Sequence, residues 1–168
     1  SGITLQSNRH NTAGSHTVVT DDQYLGYIQF LGSDGTDYEQ GAKIHAEVDG
    51  SPAGDATDMP AALVFSTTAD GSDSSTEAMR ITSAGNVGVG ESSPDTTLHV
   101  TSTNPYLTLE NSSTEDNDTG RESQVRFQGR QSGGEVSVLA KIQGSHDGSS
   151  DDQKGDMIFY TNNGSGEQ

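Results

Sequence analysis

The sequence predicts an all-β protein made of tandem antiparallel β-sandwich-like units joined by a Gly-rich connector. Three observations carry that expectation. Apolar residues alternate with polar ones inside short segments, as half-buried strands require. Asp-Gly and Asn-Gly pairs punctuate those segments, and such pairs favour tight hairpins because both residues tolerate positive φ. The chain also states nearly the same thing twice. Ile3-Thr4-Leu5, Tyr27–Gly32, Ala42-Lys43-Ile44 and Leu63–Thr67 are answered in order by Leu107-Thr108-Leu109, Val125–Gly129, Ala140-Lys141-Ile142 and Met157–Thr161. The offset shrinks along the copy, from 104 at Leu107 through 98 at Lys141 to 94 at Phe159. Insertions and deletions therefore fall between the apolar segments, where loops tolerate them.

Taken along the chain, Ile3–Leu5 opens the first copy, and a polar stretch near 8–24 reads as a loop. Tyr27–Gly32 and Ala42–Val48 follow as strands; in the second of these, Ala42, Ile44, Ala46 and Val48 alternate with Lys43, His45 and Glu47. Asp49-Gly50 and Asp70-Gly71 read as hairpin turns around Leu63–Thr67. Met79-Arg80-Ile81 leads into the glycine-rich run Gly85-Asn86-Val87-Gly88-Val89-Gly90, read as a tight strand-turn-strand crossing, and Leu98-His99-Val100 closes the unit. The second copy repeats the plan, with loops near 111–123 and 145–154 and turns at Asp147-Gly148 and Asn163-Gly164. The expected units are 1–100, including the connector 78–100, and 101–168. The second is incomplete at its C-terminal end, as if cut from a longer repeating polypeptide.

Composition narrows the options further. Leu, Ile, Val and Phe make up 28 of 168 residues, and the formal charge is −17. Such bulk values resemble those of disordered chains, but the strict alternation argues for folded strands. A core this thin leaves a lone monomer marginal, because ordering costs about 1.5 kcal/mol per residue against ~25 cal/mol per Å² of apolar area buried. There is no cysteine, so disulfides, zinc thiolates and thiol catalysis are excluded, and oligomerisation is the remaining source of stability. The negative charge argues against nucleic acid and anionic membranes as partners. No apolar run approaches the ~18 residues of a membrane span.

The segment Ala78-Met79-Arg80-Ile81-Thr82-Ser83-Ala84-Gly85-Asn86-Val87-Gly88-Val89-Gly90-Glu91-Ser92-Ser93-Pro94, ending in Leu98-His99-Val100, resembles a motif of tail fibres and adsorption appendages of tailed bacteriophages. Marine and cyanobacterial phages carry it particularly, often upstream of a self-cleaving chaperone domain. Asp58-Met59-Pro60 to Asp70-Gly71-Ser72, and Gly26-Tyr27-Ile28-Gln29-Phe30 with the following Gly32-Ser33-Asp34-Gly35, are similar to those fibres too. The resemblance implies a homotrimeric fibre segment on the virion, involved in host attachment. Its partners would be two further copies, other fibre or baseplate proteins and, in an alternative reading as a receptor-binding module, a host-surface glycan. A bacterial extracellular adhesin or filament subunit shares the same composition.

Candidate chemical sites read as ordinary ones. The glycine run lacks the Lys-Ser or Lys-Thr of a phosphate loop; Glu91 and Pro94 follow instead. Asp116–Gly120, Asp147 with Asp151 and Asp152, and Asp70–Asp73 could offer oxygen to calcium, yet none completes a calcium-binding loop. His10, His16, His45, His99 and His146 form no metal-binding spacing; His45 and His99 are expected on strands and the others in loops. Tyr24, Tyr38, Tyr106 and Tyr160 are the candidates for sugar stacking, and Tyr24 and its fellows read first as core-edge aromatics. Lys43 and Lys141 occupy equivalent places and are expected to share a structural role, a salt bridge on the outer sheet face. With no tryptophan, no nucleophile elbow and no aromatic-lined carboxylate pair, the chain is expected not to be an enzyme. No catalytic, cofactor-binding or metal-binding residue is assigned, and no cofactor.

Overall fold

A computed structural model describes residues 3–7, 16–52, 57–115, 117–150, 153–162 and 164. His10, Asp116, Asp151, Asp152 and Asn163 lie outside them. The chain is all-β, as its alternation predicts, and it divides into two compact units, Ser1–Pro105 and Tyr106–Gln168.

The first unit holds one six-stranded sheet in sequence order: β1 (Tyr24–Ser33), β2 (Tyr38–Val48), β3 (Ala61–Thr68), β4 (Ser75–Ile81), β5 (Val87–Val89) and β6 (Leu98–Val100). β1 to β5 pair antiparallel. β5 and β6 pair in parallel, against the uniformly antiparallel expectation. The glycine-rich segment is therefore a strand within the first sheet and not a link outside it. Its glycines explain the crossing. A Cβ at Gly88 would collide with the backbone oxygen of Glu91, and one at Gly90 with that of Thr101. Only a bare backbone lets the chain leave β5, turn at 90–97 and return alongside as β6.

The second unit holds β7 (Ser123–Arg130), β8 (Val136–His146) and β9 (Gly155–Thr161), all antiparallel. These strands reproduce β1 to β3 in detail. Ile28, Ile44 and Phe65 stand in one cross-strand row, and Val125, Ile142 and Phe159 stand in the matching row. Each first hairpin carries a bulge at the same place, where Gly41 and Leu139 are left without partners. The approach to each first strand also repeats. The Asp22 amide donates to the Val48 carbonyl at 2.9 Å and the Thr119 amide to the His146 carbonyl at 3.0 Å. Asp22 and Thr119 both take the left-handed conformation, with φ of 63° and 64°.

The turn expectations fare unevenly. Asp70-Gly71 does sit in the β3–β4 hairpin, where the Ser72 amide donates to the Ala69 carbonyl at 3.1 Å and Gly71 has a φ of 79°. Asp49-Gly50 and Asp147-Gly148 instead open the longer connections 49–60 and 147–154. Neither closes a two-residue turn, because each Asp amide still pairs with the residue just before the next strand, Asp49 with Pro60 and Asp147 with Lys154, and the Asp49 carboxylate accepts the Ser83 amide at 2.6 Å. Ile3–Leu5 and Leu107–Leu109 carry no ladder pairing.

Candidate functional site

Directly opposed residues of paired strands share a sheet face. In the first unit this sorts side chains sharply. One face carries Ile28 and Phe30 from β1, Ala42, Ile44 and Ala46 from β2, Leu63 and Phe65 from β3, Met79 and Ile81 from β4, and Val87, Val89, Leu98 and Val100 from the last two strands. The face is apolar across all six strands. The other face carries mainly polar side chains, Tyr24, Gln29, Lys43, His45, Glu47, Ser66, Glu77, Arg80 and His99, with Tyr27, Ala62 and Val64 among them.

Burial follows the face and not the polarity: Ala62 and Val64, directly opposite Glu47 and His45, are buried together with them. On β2, His45 and Glu47 are buried while Ala42, Ile44 and Ala46 between them are only half-buried. Ile28 and Phe30 are each 53% exposed, and Leu98 60%. The second unit shows the same preference for one face. Lys141, Gln143 and Ser145 on β8 are buried, whereas Phe159 and Met157 on the opposite face stand exposed. In each unit the more buried side chains thus gather on the face that carries the polar groups, and the opposite, apolar face stands more open.

The polar face of the first unit is a connected network. Arg80 donates from Nη2 to Glu77 Oε2 at 2.6 Å and to Glu47 Oε1 at 3.2 Å, and from Nε to Glu77 Oε1 at 2.7 Å. The Glu77 hydrogen bonds, together with the charges of Glu77, Glu47 and Asp49, raise the Arg80 pKa above its ordinary value. Glu47 Oε2 lies 3.1 Å from His45 Nε2, and the Tyr24 ring packs on the imidazole with centroids 4.4 Å apart. The salt bridge expected of Lys43 is absent among the described residues, and its place is taken by a tyrosine. What Lys43 and Lys141 share is a tyrosine: Lys43 Nζ lies 4.6 Å from the Tyr24 ring centroid and donates to its hydroxyl at 2.8 Å, and Lys141 Nζ lies 4.1 Å above Tyr160. Tyr24 reaches its lysine from β1 and Tyr160 from β9, and alternation within a strand carries no record of such cross-strand partners.

On the apolar side, Leu5 lies against Gly26, where an added Cβ would come within 2.6 Å of the Leu5 Cβ. Together with Ile28, Ile44, Ala46 and Leu63 it walls a cavity of about 200 Å³. The N-terminal segment therefore touches the apolar face at one corner without covering it.

Of the expected oxygen clusters, Asp70–Asp73 brings no three carboxylates together among the described residues; the group that does form is Asp34, Asp37 and Glu39 at the β1–β2 turn. Backbone amides of Thr36 and Asp37 hold Asp34 below its usual range, while the hydrogen bond and negative charge of Asp37 push Glu39 up. All three are exposed. His146 closes β8 and is buried, not in a loop as the sequence suggested, since the ladder runs to its pairing with Gly155. His45 and His99 are on strands as expected, and His16 is in a loop. Tyr38 and Tyr106 are 75% and 85% exposed. Among the described residues no helix is long and apolar enough to cross a membrane.

No family profile matches this chain, and no curated protein matches it by sequence. Two solved structures are similar to it. One is the carboxy-terminal domain of the bacteriophage T5 L-shaped tail fibre, 13% identical over 95% of this chain and 78% of that one, with a TM-score of 0.46. The other is that domain with its intra-molecular chaperone domain, 14% identical over 95% of this chain and 54% of that one, with a TM-score of 0.47. No residue role is carried over from either.

Proposed function

We propose that this chain is a structural, non-catalytic segment of a homotrimeric tail fibre or similar virion appendage of a tailed bacteriophage, acting in host attachment from the extracellular particle. The observation that carries the reading is the apolar face spanning β1 to β6, left largely exposed behind a polar face that is linked by its own hydrogen bonds. An exposed apolar surface of that extent calls for a partner. Further copies of the chain answer the call without new sequence, since each brings an identical face. The tail-fibre-like segment Ala78–Val100 supports the same reading, because it supplies the last part of that face as β5 and β6. The repeat of β1 to β3 in β7 to β9 suits a shaft that grows by adding units. Fibre and baseplate proteins would then be its neighbours, and the exposed Tyr38 and Tyr106 favour, as a second reading, contact with a host glycan.

Light scattering tests the assembly. A mass three times that of the 17.5 kDa chain is expected. Ile28→Lys and Phe30→Lys should each yield smaller species with the sheet signal retained, because the changed side chains lie on the open face. A folded wild-type monomer at micromolar concentration would overturn the proposal.

A further inference from the structure

The second unit contains a concavity of about 450 Å³, walled by Leu109, Arg121, Ser145, His146, Lys154 and Asp156 among others. The first unit offers an internal comparison. Ladder pairing and the repeated backbone bonds put Tyr24 at the place of Arg121, Val48 at that of His146 and Pro60 at that of Lys154. The frame itself is kept. The Val48 amide donates to the Gln23 carbonyl and the His146 amide to the Gly120 carbonyl, both at 2.9 Å, and the Asp49 and Asp147 amides reach the carbonyls of Pro60 and Lys154 at 3.0 and 3.4 Å. Three neutral side chains of the first copy have thus become two cations and an imidazole around one concavity, in a chain with 8 Lys and Arg and a charge of −17.

Arg121, His146 and Lys154 all have interactions within the chain. Pairing with the chain's own groups accounts for them but leaves Ser145 unexplained. Ser145 lines the same concavity, is 7% exposed, and its hydroxyl has no hydrogen-bond partner. A buried polar group left so costs about 1–3 kcal/mol. Its counterpart in the first unit, Glu47, is fully engaged by His45 and Arg80.

We propose that this concavity binds the phosphate or sulfate group of an esterified sugar. An arginine fork and a lysine point charge recognise a tetrahedral oxyanion, and the Ser145 hydroxyl supplies a buried donor. Asp156, directly across the ladder from Ser145, repels a bare oxyanion and accepts from a sugar hydroxyl. Leu109 gives the ring an apolar edge. Asp156 is thus the selecting group for a hydroxylated carrier over the free ion. The inference stands on the second unit alone and does not depend on the fibre reading.

The test is an amide-resolved NMR titration of the whole chain at low salt with glucose 6-phosphate, glucose 6-sulfate, inorganic phosphate and glucose. One of the two esters should give saturable shifts at Gly144, Ser145 and Gly155 with a Kd of ~1 mM, the stronger ester identifying the source, and glucose should give none. Lys154→Gln, at an exposed position, should weaken binding about tenfold and Ser145→Ala about fivefold with the sheet signal unchanged. Neither ester binding below ~20 mM, or Lys154→Gln binding as wild type, overturns the site. Inorganic phosphate binding as tightly as the esters overturns the sugar assignment.

Discussion

Asp49 shows how one side chain joins distant parts of the first sheet. It follows the last residue of β2, and its Oδ2 accepts the Ser83 amide just beyond β4 at 2.6 Å. That hydrogen bond holds its carboxyl below the ordinary value of 3.8. Because the folded-state pKa is the lower one, Asp49 stabilises the fold fully above the ordinary value and loses that contribution as pH falls through the lowered one. Asp49→Ala is expected to cost ~0.5 kcal/mol at pH 7 by urea unfolding, since water replaces the lost acceptor at the exposed Ser83 amide. The gap between variant and wild type should close as the pH is taken below the carboxylate range. A gap that persists unchanged at low pH would assign the loss to packing.

At the scale of elements, the β5–β6 crossing depends on glycine more sharply than any hairpin does. Gly88→Ala places a methyl group against the Glu91 carbonyl, which is backbone and cannot rotate away. A cost of about 1–3 kcal/mol is expected, the range for overpacking. Gly32→Ala on β1 meets nothing within 4 Å, and thermal unfolding should show it near neutral or slightly stabilising, because alanine restricts the unfolded chain. Equal effects of the two substitutions would mean that the crossing is not held by close approach. Parallel pairing of β5 and β6 also finishes the apolar face, since Leu98 and Val100 stand opposite Val87 and Val89.

For the whole molecule, charge and the open face pull in opposite directions. Copies carrying −17 each repel one another, while burying the exposed half of a side chain such as Phe30 or Ile28 returns about 1–1.5 kcal/mol. Salt weakens the first effect and not the second, with a Debye length of ~10 Å at about 0.1 M. Assembly should therefore tighten as salt rises, by roughly tenfold in dissociation midpoint between ~20 and ~300 mM NaCl as sedimentation reads it. Assembly that loosens with salt would point to an interface built on ion pairs across the polar faces.

The sequence by itself determined the strands, their repeat and the side chains that share a face, because a period of two is a local property set by the pleat. It showed Ala42, Ile44 and Ala46 alternating with Lys43, His45 and Glu47, and it placed Lys43 and Lys141 as equivalents. Only the tertiary structure decided which face is covered. The Arg80 to Glu47 contact spans 33 residues and the Lys43 to Tyr24 contact 19, and no local pattern records partners at that distance. The same holds for the concavity beside Ser145, whose lining from Leu109, Arg121 and Lys154 meets only when the ladder brings separate loops to one end. Alternation specifies two faces, but their burial is a sum over contacts between strands, and those contacts exist only in the folded chain.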